Sequence, residues 1–403
     1  MNWKFGSLML VVAVMLVFTA AGTSAAASGF KDVKSDHWAK GAIDFAAKRD
    51  YVGGYPDGSF RPNGTITRAE FVVVLARIAE LPAAKSGLFT DIAGHWAEGA
   101  IKSAVAAGFV TKADFGTRFK PSQAVTRLEM ARMIARALAE GEDYQAYLKA
   151  FSGLYNGDLP FVDYRDIMKA DLPLIALSYG ASIMNGYPDA SFGLEKTATR
   201  AEAVVMLKSF HDKREKAPED FQYLRELKEV AETGMNAQAV SNLEPQVNLK
   251  TDDITLETRN YTVTLKRLYV LPFEGDTVSM YERKYFWDRN LIAPRLLANK
   301  QGYLIGVVNM TAKVTAGRDE ITRTFHLNPS AALFYEEPTE KFGLIHHDMK
   351  GQYFSEKGRT DEITIYGYYN LDYFYTMFQA DSNLDSHILL FNPDKPRVEY
   401  NVQ

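Results

Sequence analysis

The sequence predicts a two-part protein: a helical region built from three repeats, followed by an all-β region of immunoglobulin-like sandwich type. Two observations carry the prediction. A threonine, an arginine and a glutamate recur at fixed spacing as Thr67, Arg68, Glu70, then Thr126, Arg127, Glu129, then Thr199, Arg200, Glu202, each time opening an amphipathic stretch. After Thr251 the hydrophobic period changes from 3.6 to 2.

The N-terminal segment comes first in the chain. Lys4, the apolar run Leu8 to Phe18, and Ala25 with Ala27 before Ser28 have the form of a secretory signal over residues 1–27. The competing reading is an uncleaved membrane anchor. The mature chain is expected to leave the cytoplasm without stable membrane insertion. There are no cysteines, so neither a disulfide framework nor a lipidated cysteine is available. A net charge of −4 and a pI near 6.0 give no general basic field, which argues against nucleic acid as a partner. With 47% hydrophobic and 12% aromatic residues over 403 positions, the chain has material for several packed cores.

Aligning the Thr-Arg-x-Glu blocks defines repeats at residues 29–82, 88–140 and 161–212, with an insertion at 141–160. Phe30, Asp32, His37, Trp38, Ala39 and Ile43 recur as Phe89, Asp91, His95, Trp96, Ala97 and Ile101. The third copy keeps Phe161, Asp163 and Ile175 but has Ala170 and Asp171 where the tryptophan stretch would lie. Each copy reads as helix, loop, helix. In copy one, Asp36 is a candidate N-cap for a face made by Trp38, Ala42, Ile43 and Ala46. Phe71, Val74, Leu75 and Ile78 form the second face.

Thr followed three residues later by Glu is a capping box, which explains Thr67, Thr126, Thr199, Glu70, Glu129 and Glu202 structurally. The arginines are different, because a cation in a first helical turn faces the positive end of the helix dipole. Arg68, Arg127 and Arg200 therefore ask for an anion, and a helix N-terminus with a guanidinium fork suits a carboxylate or phosphate. The alternative is an internal pair with Asp32, Asp91 or Asp163, which otherwise fix loops. On the anion reading, Arg68→Ala leaves the fold intact and weakens binding more than the same change at Arg127 or Arg200.

Between the helices of copy one runs Gly53-Gly54-Tyr55-Pro56-Asp57-Gly58-Ser59-Phe60, a glycine-rich turn. Copy three keeps Asn185-Gly186-Tyr187-Pro188-Asp189 with Ala190 at the position of Gly58, whereas copy two has Lys112 to Thr117 and a loop of different shape. The insertion offers Tyr144, Tyr147, Leu148 and Phe151 for a short extra helix.

These blocks resemble the S-layer homology (SLH) domain family over residues 29–212. The resemblance implies a pseudo-threefold helical bundle with grooves between neighbouring repeats. It further implies that the grooves hold secondary cell wall polysaccharide through a pyruvylated N-acetylmannosamine unit. Carried onto this chain, the binding residues are Trp38, Gly54, Tyr55, Arg68, Trp96, Arg127, Gly186, Tyr187 and Arg200, with Asp32, Asp91, Asp163, Glu70, Glu129 and Glu202 in support. The chemistry suits one ketal carboxylate on an otherwise neutral pyranose, with aromatic faces for its C–H side. For Trp38 and Trp96, core packing and ligand contact both stand open.

Residues 213–250 read as a connector, with Phe221, Leu224, Leu227 and Val230 on one face of a helix ending near Gly234, then a polar linker from 235 to 250. In 251–403, segments around Tyr261, Val263 and Leu265, around Tyr303, Ile305 and Val307, and around Ile363, Ile365 and Tyr369 alternate as strands, and about seven or eight fit. No catalytic motif, cofactor loop or metal-binding helix appears, and the adjacent His346, His347 and Asp348 would point to opposite strand faces. The expected function is non-covalent wall anchoring with outward display of the C-terminal domain. The alternatives are an anchored glycan hydrolase and a structural lattice subunit.

Overall fold

The structure is a computed structural model and describes residues 29–85, 87–240, 245, 247–252, 255–257, 261–272, 279–281, 303–314, 325–326, 360–370, 376–380 and 387–389. The leader expected at 1–27 and the His346, His347, Asp348 cluster lie outside the described residues. Two compact units are present. One comprises residues up to Val125 with Thr197–Lys208, the other Thr126–Lys196 with the residues from Ser209 on.

In the first unit, α1 spans Lys40–Lys48, α2 Arg68–Ile78, α3 Glu98–Ala106 and α4 Lys112–Phe115. The N-terminal part of α8 (Arg200–Lys213) joins them. Helix α2 is buried nearly all round, because Val72, Val73 and Ala76 are covered as well as the expected Phe71, Val74, Leu75 and Ile78. Ala42, Ile43 and Ala46 of α1 pack with Phe60, Ala201 and Val204. Asp36 does not cap α1. The helix starts later, after Ala39, whose N–H donates to Nδ1 of His37 at 3.1 Å, and Ala97 does the same to His95 at 3.2 Å. Trp38 therefore stands off the helical face, 64% exposed, and is not a core residue.

In the second unit, α5 (Arg127–Leu138) and α7 (Leu172–Gly180) carry the repeat pattern, and the insertion forms α6 (Glu142–Ala150) with Tyr144 and Tyr147 buried. The connector helix α9 (Gln222–Thr233) buries Leu224, Leu227 and Val230 and ends at Gly234, which takes φ +82°. The segment after Gly234 differs from the polar linker expected there. Met235, Asn236, Ala237, Val240 and Leu249 are buried, and α10 covers Ala237–Val240. Asparagine at position 236 is polar in composition but fully bonded inside: its side chain accepts the N–H of Val270 at 2.6 Å and donates to the Val270 carbonyl at 3.0 Å.

Seven strands are described beyond residue 250. β1 (Thr255–Glu257), β2 (Tyr261–Pro272), β3 (Tyr303–Val314) and β5 (Thr360–Asn370) form an antiparallel sheet in the order β1-β2-β3-β5. β4 (Phe325–His326), β6 (Thr376–Ala380) and β7 (His387–Leu389) form a second sheet, ordered β4-β6-β7. The β2–β3 register shifts between Leu265 and Arg267, a bulge of the kind that re-aims a side chain.

Candidate functional site

Each capping box forms as the spacing demands. Thr67, Thr126 and Thr199 accept the N–H of the glutamate three residues on, and Glu70, Glu129 and Glu202 accept the threonine N–H in return. The next two N–H groups are also taken. Those of Arg68 and Ala69 donate to the carbonyls of Gln123 and Pro121, those of Arg127 and Leu128 to Lys196 and Leu194, and those of Arg200 and Ala201 to Gly64 and Pro62. All four donors at each helix start are therefore satisfied within the protein, and the helix N-terminus has none to offer an anion.

The arginine side chains turn to the loop of the following repeat. Arg68 donates to the Phe119 carbonyl at 3.0 Å and to the Gln123 side chain at 3.2 Å. Arg127 donates to the carbonyls of Phe192 at 2.9 Å and Asn185 at 2.5 Å. Arg200 donates to the carbonyls of Phe60 at 3.0 Å and Gly53 at 3.3 Å, and to the Glu70 carboxylate at 2.7 Å. The order is cyclic: one to two, two to three, three to one. All three arginines are buried, at 5–8% exposure. Each also lies over a loop aromatic, with Arg68 5.0 Å from the Phe115 ring, Arg127 4.7 Å from Tyr187 and Arg200 5.2 Å from Tyr55.

The arginine beside Tyr55 is Arg200 of copy three, and Arg68 lies against the loop of copy two. The cation in the first turn is balanced by carbonyls of the neighbouring loop, with the Glu70 carboxylate added at Arg200. In copy two, where the loop is remodelled as α4, Phe115 supplies the aromatic face that Tyr55 and Tyr187 supply elsewhere.

The aspartates hold these loops in place. Asp32 accepts the N–H groups of Phe60 and Arg61, Asp91 those of Phe119 and Lys120, and Asp163 those of Phe192 and Gly193, all between 2.7 and 2.9 Å. Gly54 is there for packing: a Cβ would stand 2.5 Å from the Phe30 ring and 3.0 Å from the Ser59 carbonyl. Gly186 meets Phe161 and Ser191 in the same way. Ala190 keeps a left-handed conformation (φ +60°) at the position where Gly58 has φ +79°. Inside the first turn, Asp57 accepts the Ser59 hydroxyl at 2.6 Å and its N–H at 3.0 Å, which lowers the Asp57 carboxyl to about 2.

In the first unit a groove of about 500 Å³ runs between α2 and α3, with Val73, Arg77 and Trp96 on its wall, and these residues continue it into a small pocket of about 20 Å³. The pocket is lined by Gly53 and Phe60 of the copy-one loop, by Glu70, Val73 and Arg77 of α2, and by Trp96 and Arg200. Its charges are two arginines against one glutamate. Trp96 is 40% exposed and forms one wall, so it is not a core residue either. Arg77 was missed in the sequence because it sits in the last turn of α2, where a basic residue looks like an ordinary helix-dipole complement. Its guanidinium donates to the carbonyls of Asp50 and Tyr51 at 3.1 and 3.0 Å while remaining exposed.

The corresponding place between α5 and α7 is built differently. Arg132 occupies the position of Val73 and Asp171 that of Ala97. They pair in a bidentate contact at 2.7 and 2.8 Å, with side chains 12% and 4% exposed, and Ala170 stands where Trp96 would be.

The S-layer homology domain family matches residues 29–72, 88–131 and 160–204. The chain is 40% identical over 119 residues to a cellulosome-anchoring protein of Acetivibrio thermocellus, covering 28% of this chain and 26% of that protein. It is 33% identical over 180 residues to an amylopullulanase of Thermoanaerobacterium thermosulfurigenes, covering 44% of this chain and 9% of that enzyme. With S-layer protein EA1 of Bacillus anthracis it shares 28% identity over 251 residues, 61% of this chain and 27% of the relative. The chain thus spans no more than 27% of the length of any of these three.

Proposed function

We propose that this chain, which carries three S-layer homology domains, is a cell-surface protein held non-covalently to the bacterial wall by those domains. The α2–α3 cleft is its principal polysaccharide site. The observation that carries the reading is the lining of that cleft: Arg77 and Arg200 against Glu70 leave one net positive charge beside the exposed Trp96 ring. A pyranose bearing a single ketal carboxylate matches both features, its carboxylate facing the arginines and its C–H face the indole. Arg200 reaches the ligand from a position already fixed by the Phe60 and Gly53 carbonyls, so little side-chain entropy remains to be lost on binding.

Trp38, Gly54, Tyr55, Arg68, Arg127, Gly186 and Tyr187 belong to the wider wall-binding surface or to the loops that shape it. The α5–α7 cleft is the weaker one, since its place is filled by the Arg132–Asp171 pair and lacks the indole. Beyond the repeats, the reading is a non-catalytic β domain of sandwich type, displayed outward after export through the residue 1–27 leader. The names of the relatives keep the anchored-hydrolase and lattice-subunit alternatives in view. Cosedimentation of the intact protein with isolated wall polymer tests the assignment: Arg77→Gln and Trp96→Ala should each release the protein while leaving thermal stability near wild type. Full retention of both variants would refute the cleft as the site.

A further inference from the structure

We propose that helix α9, braced by the 142–158 insertion, is a proton-operated latch that holds strand β2 and residues 279–281 against the third repeat, with Glu226 as its operating group. This does not depend on the wall-binding reading. Helix α9 packs close on two sides. A Cβ on Gly180 of α7 would stand 2.4 Å from Leu224, and one on Gly153 of the insertion 2.7 Å from the Ala231 carbonyl. The insertion then reaches the sheet. Asp158, fully buried, accepts both branches of the Arg267 guanidinium at 2.6 and 3.0 Å and the Tyr269 hydroxyl at 2.9 Å, and its carbonyl accepts the Tyr281 hydroxyl at 2.8 Å. Asn236 and Gly234, just past α9, bond Val270 and Leu268 of β2.

At the centre of this joint Glu226 is fully buried, and among the described residues no cation pairs with it. Its carboxylate accepts the Ser279 hydroxyl at 2.8 Å, the side-chain amides of Gln222 at 2.9 Å and Asn236 at 3.3 Å, and the Met280 N–H at 3.3 Å. One turn on, Glu229 accepts the N–H groups of Gln238 and Ala239. The described cations around them are engaged elsewhere: Arg267 with Asp158, Arg225 with the Glu219 carbonyl, Lys228 over the Tyr147 ring, and Lys250 with the Gly153 carbonyl. Burial pushes both carboxyls up, to about 7.

Proton linkage sets the direction. An opened joint exposes Glu226, which then titrates near its ordinary 4.5, so the closed joint binds the proton more tightly than the open one. Closure is therefore strongest below about pH 4.5, weakens as the pH rises toward 7, and is level above that. When protonated, Glu226 can donate to Ser279, whose hydroxyl turns from donor to acceptor. A difference of about 2.5 pH units corresponds to a rise of roughly 300-fold in the opening constant from Glu226 alone. Lys250 is lowered to about 8 by burial, so it loses its proton mainly above this window.

Amide hydrogen exchange on the intact protein, corrected for the intrinsic pH dependence of exchange, tests the latch. Protection of α9 and of Leu268 and Val270 should fall by up to roughly 300-fold from Glu226 alone between pH 4.5 and 7.5. Over the same range α2 should change far less. Glu226→Gln, which removes one of the two raised carboxyls, should reduce the response of the joint by up to roughly 300-fold and leave only the share of Glu229. Equal pH responses of α9 and α2 in the wild-type protein would overturn the proposal whether or not the variant folds, and so would an undiminished response in a folded Glu226→Gln protein.

Discussion

Replacing Arg200 with alanine should cost the fold, and the structure sets the size of the loss. The side chain is 6% exposed and its ion pair with Glu70 spans 2.7 Å. Its other bonds run to the carbonyls of Phe60 and Gly53, each left without this charged donor in the variant. Breaking one side of a buried ion pair costs about 3–5 kcal/mol. Glu70 keeps the Thr67 N–H and hydroxyl at 2.8 and 2.9 Å, which places the expected cost toward the lower end. For a unit of this size about 3 kcal/mol lowers the melting temperature by roughly 10–20 °C, measurable by calorimetry on the intact protein. Arg200→Lys keeps the charge but not the fork, and should fall between wild type and Arg200→Ala. An unchanged melting temperature in Arg200→Ala would refute the structural role and restore the expectation that first-turn arginines are present for an anion alone.

Gly54→Ala should destabilise by about 1–3 kcal/mol, because its methyl overlaps the Phe30 ring; an unchanged urea midpoint would show that the copy-one loop can shift at no cost. Asp171→Ala removes the carboxylate that the half-buried Arg132 guanidinium grips with two bonds and should cost about 1–3 kcal/mol. Combining it with Arg132→Leu should recover most of that loss, and a double variant as unstable as the single one would contradict the pairing.

The parts of this protein that were legible in the sequence are local. A capping box closes within four residues, so Thr67 and Glu70 announced the start of α2 unaided, and Gly234 announced the end of α9. The arginine partners were hidden by distance along the chain: Arg200 bonds Phe60 across 140 residues and Arg68 bonds Phe119 across 51. A helical wheel of Arg68 or Arg200 shows only a charge near a dipole, and nothing in it reports the carbonyls of another repeat. The tryptophans misled for a different reason. Counting Trp38 into the α1 stripe assumed that the helix began at Asp36, whereas the His37 ring takes up the Ala39 N–H and delays the start. The connector looked like a linker because Asn236 and its neighbours are polar in composition, and their burial depends on β2 bonds formed more than 30 residues on. In the insertion the tyrosines marked the extra helix, but Asp158 gave no sign that Arg267 would meet it 109 residues later.

The most direct test of wall anchoring through a single carboxylate is the affinity of the intact protein for isolated wall polymer before and after removal of its pyruvyl groups, at low and high salt. The predicted result is loss of most binding on removal. A fall with ionic strength is expected for the native polymer only, because Arg77 is exposed and its attraction is screened. Arg77→Gln should bind the native polymer about as weakly as wild type binds the treated one. Equal wild-type affinity for treated and untreated polymer, independent of salt, would contradict anchoring through the carboxylate.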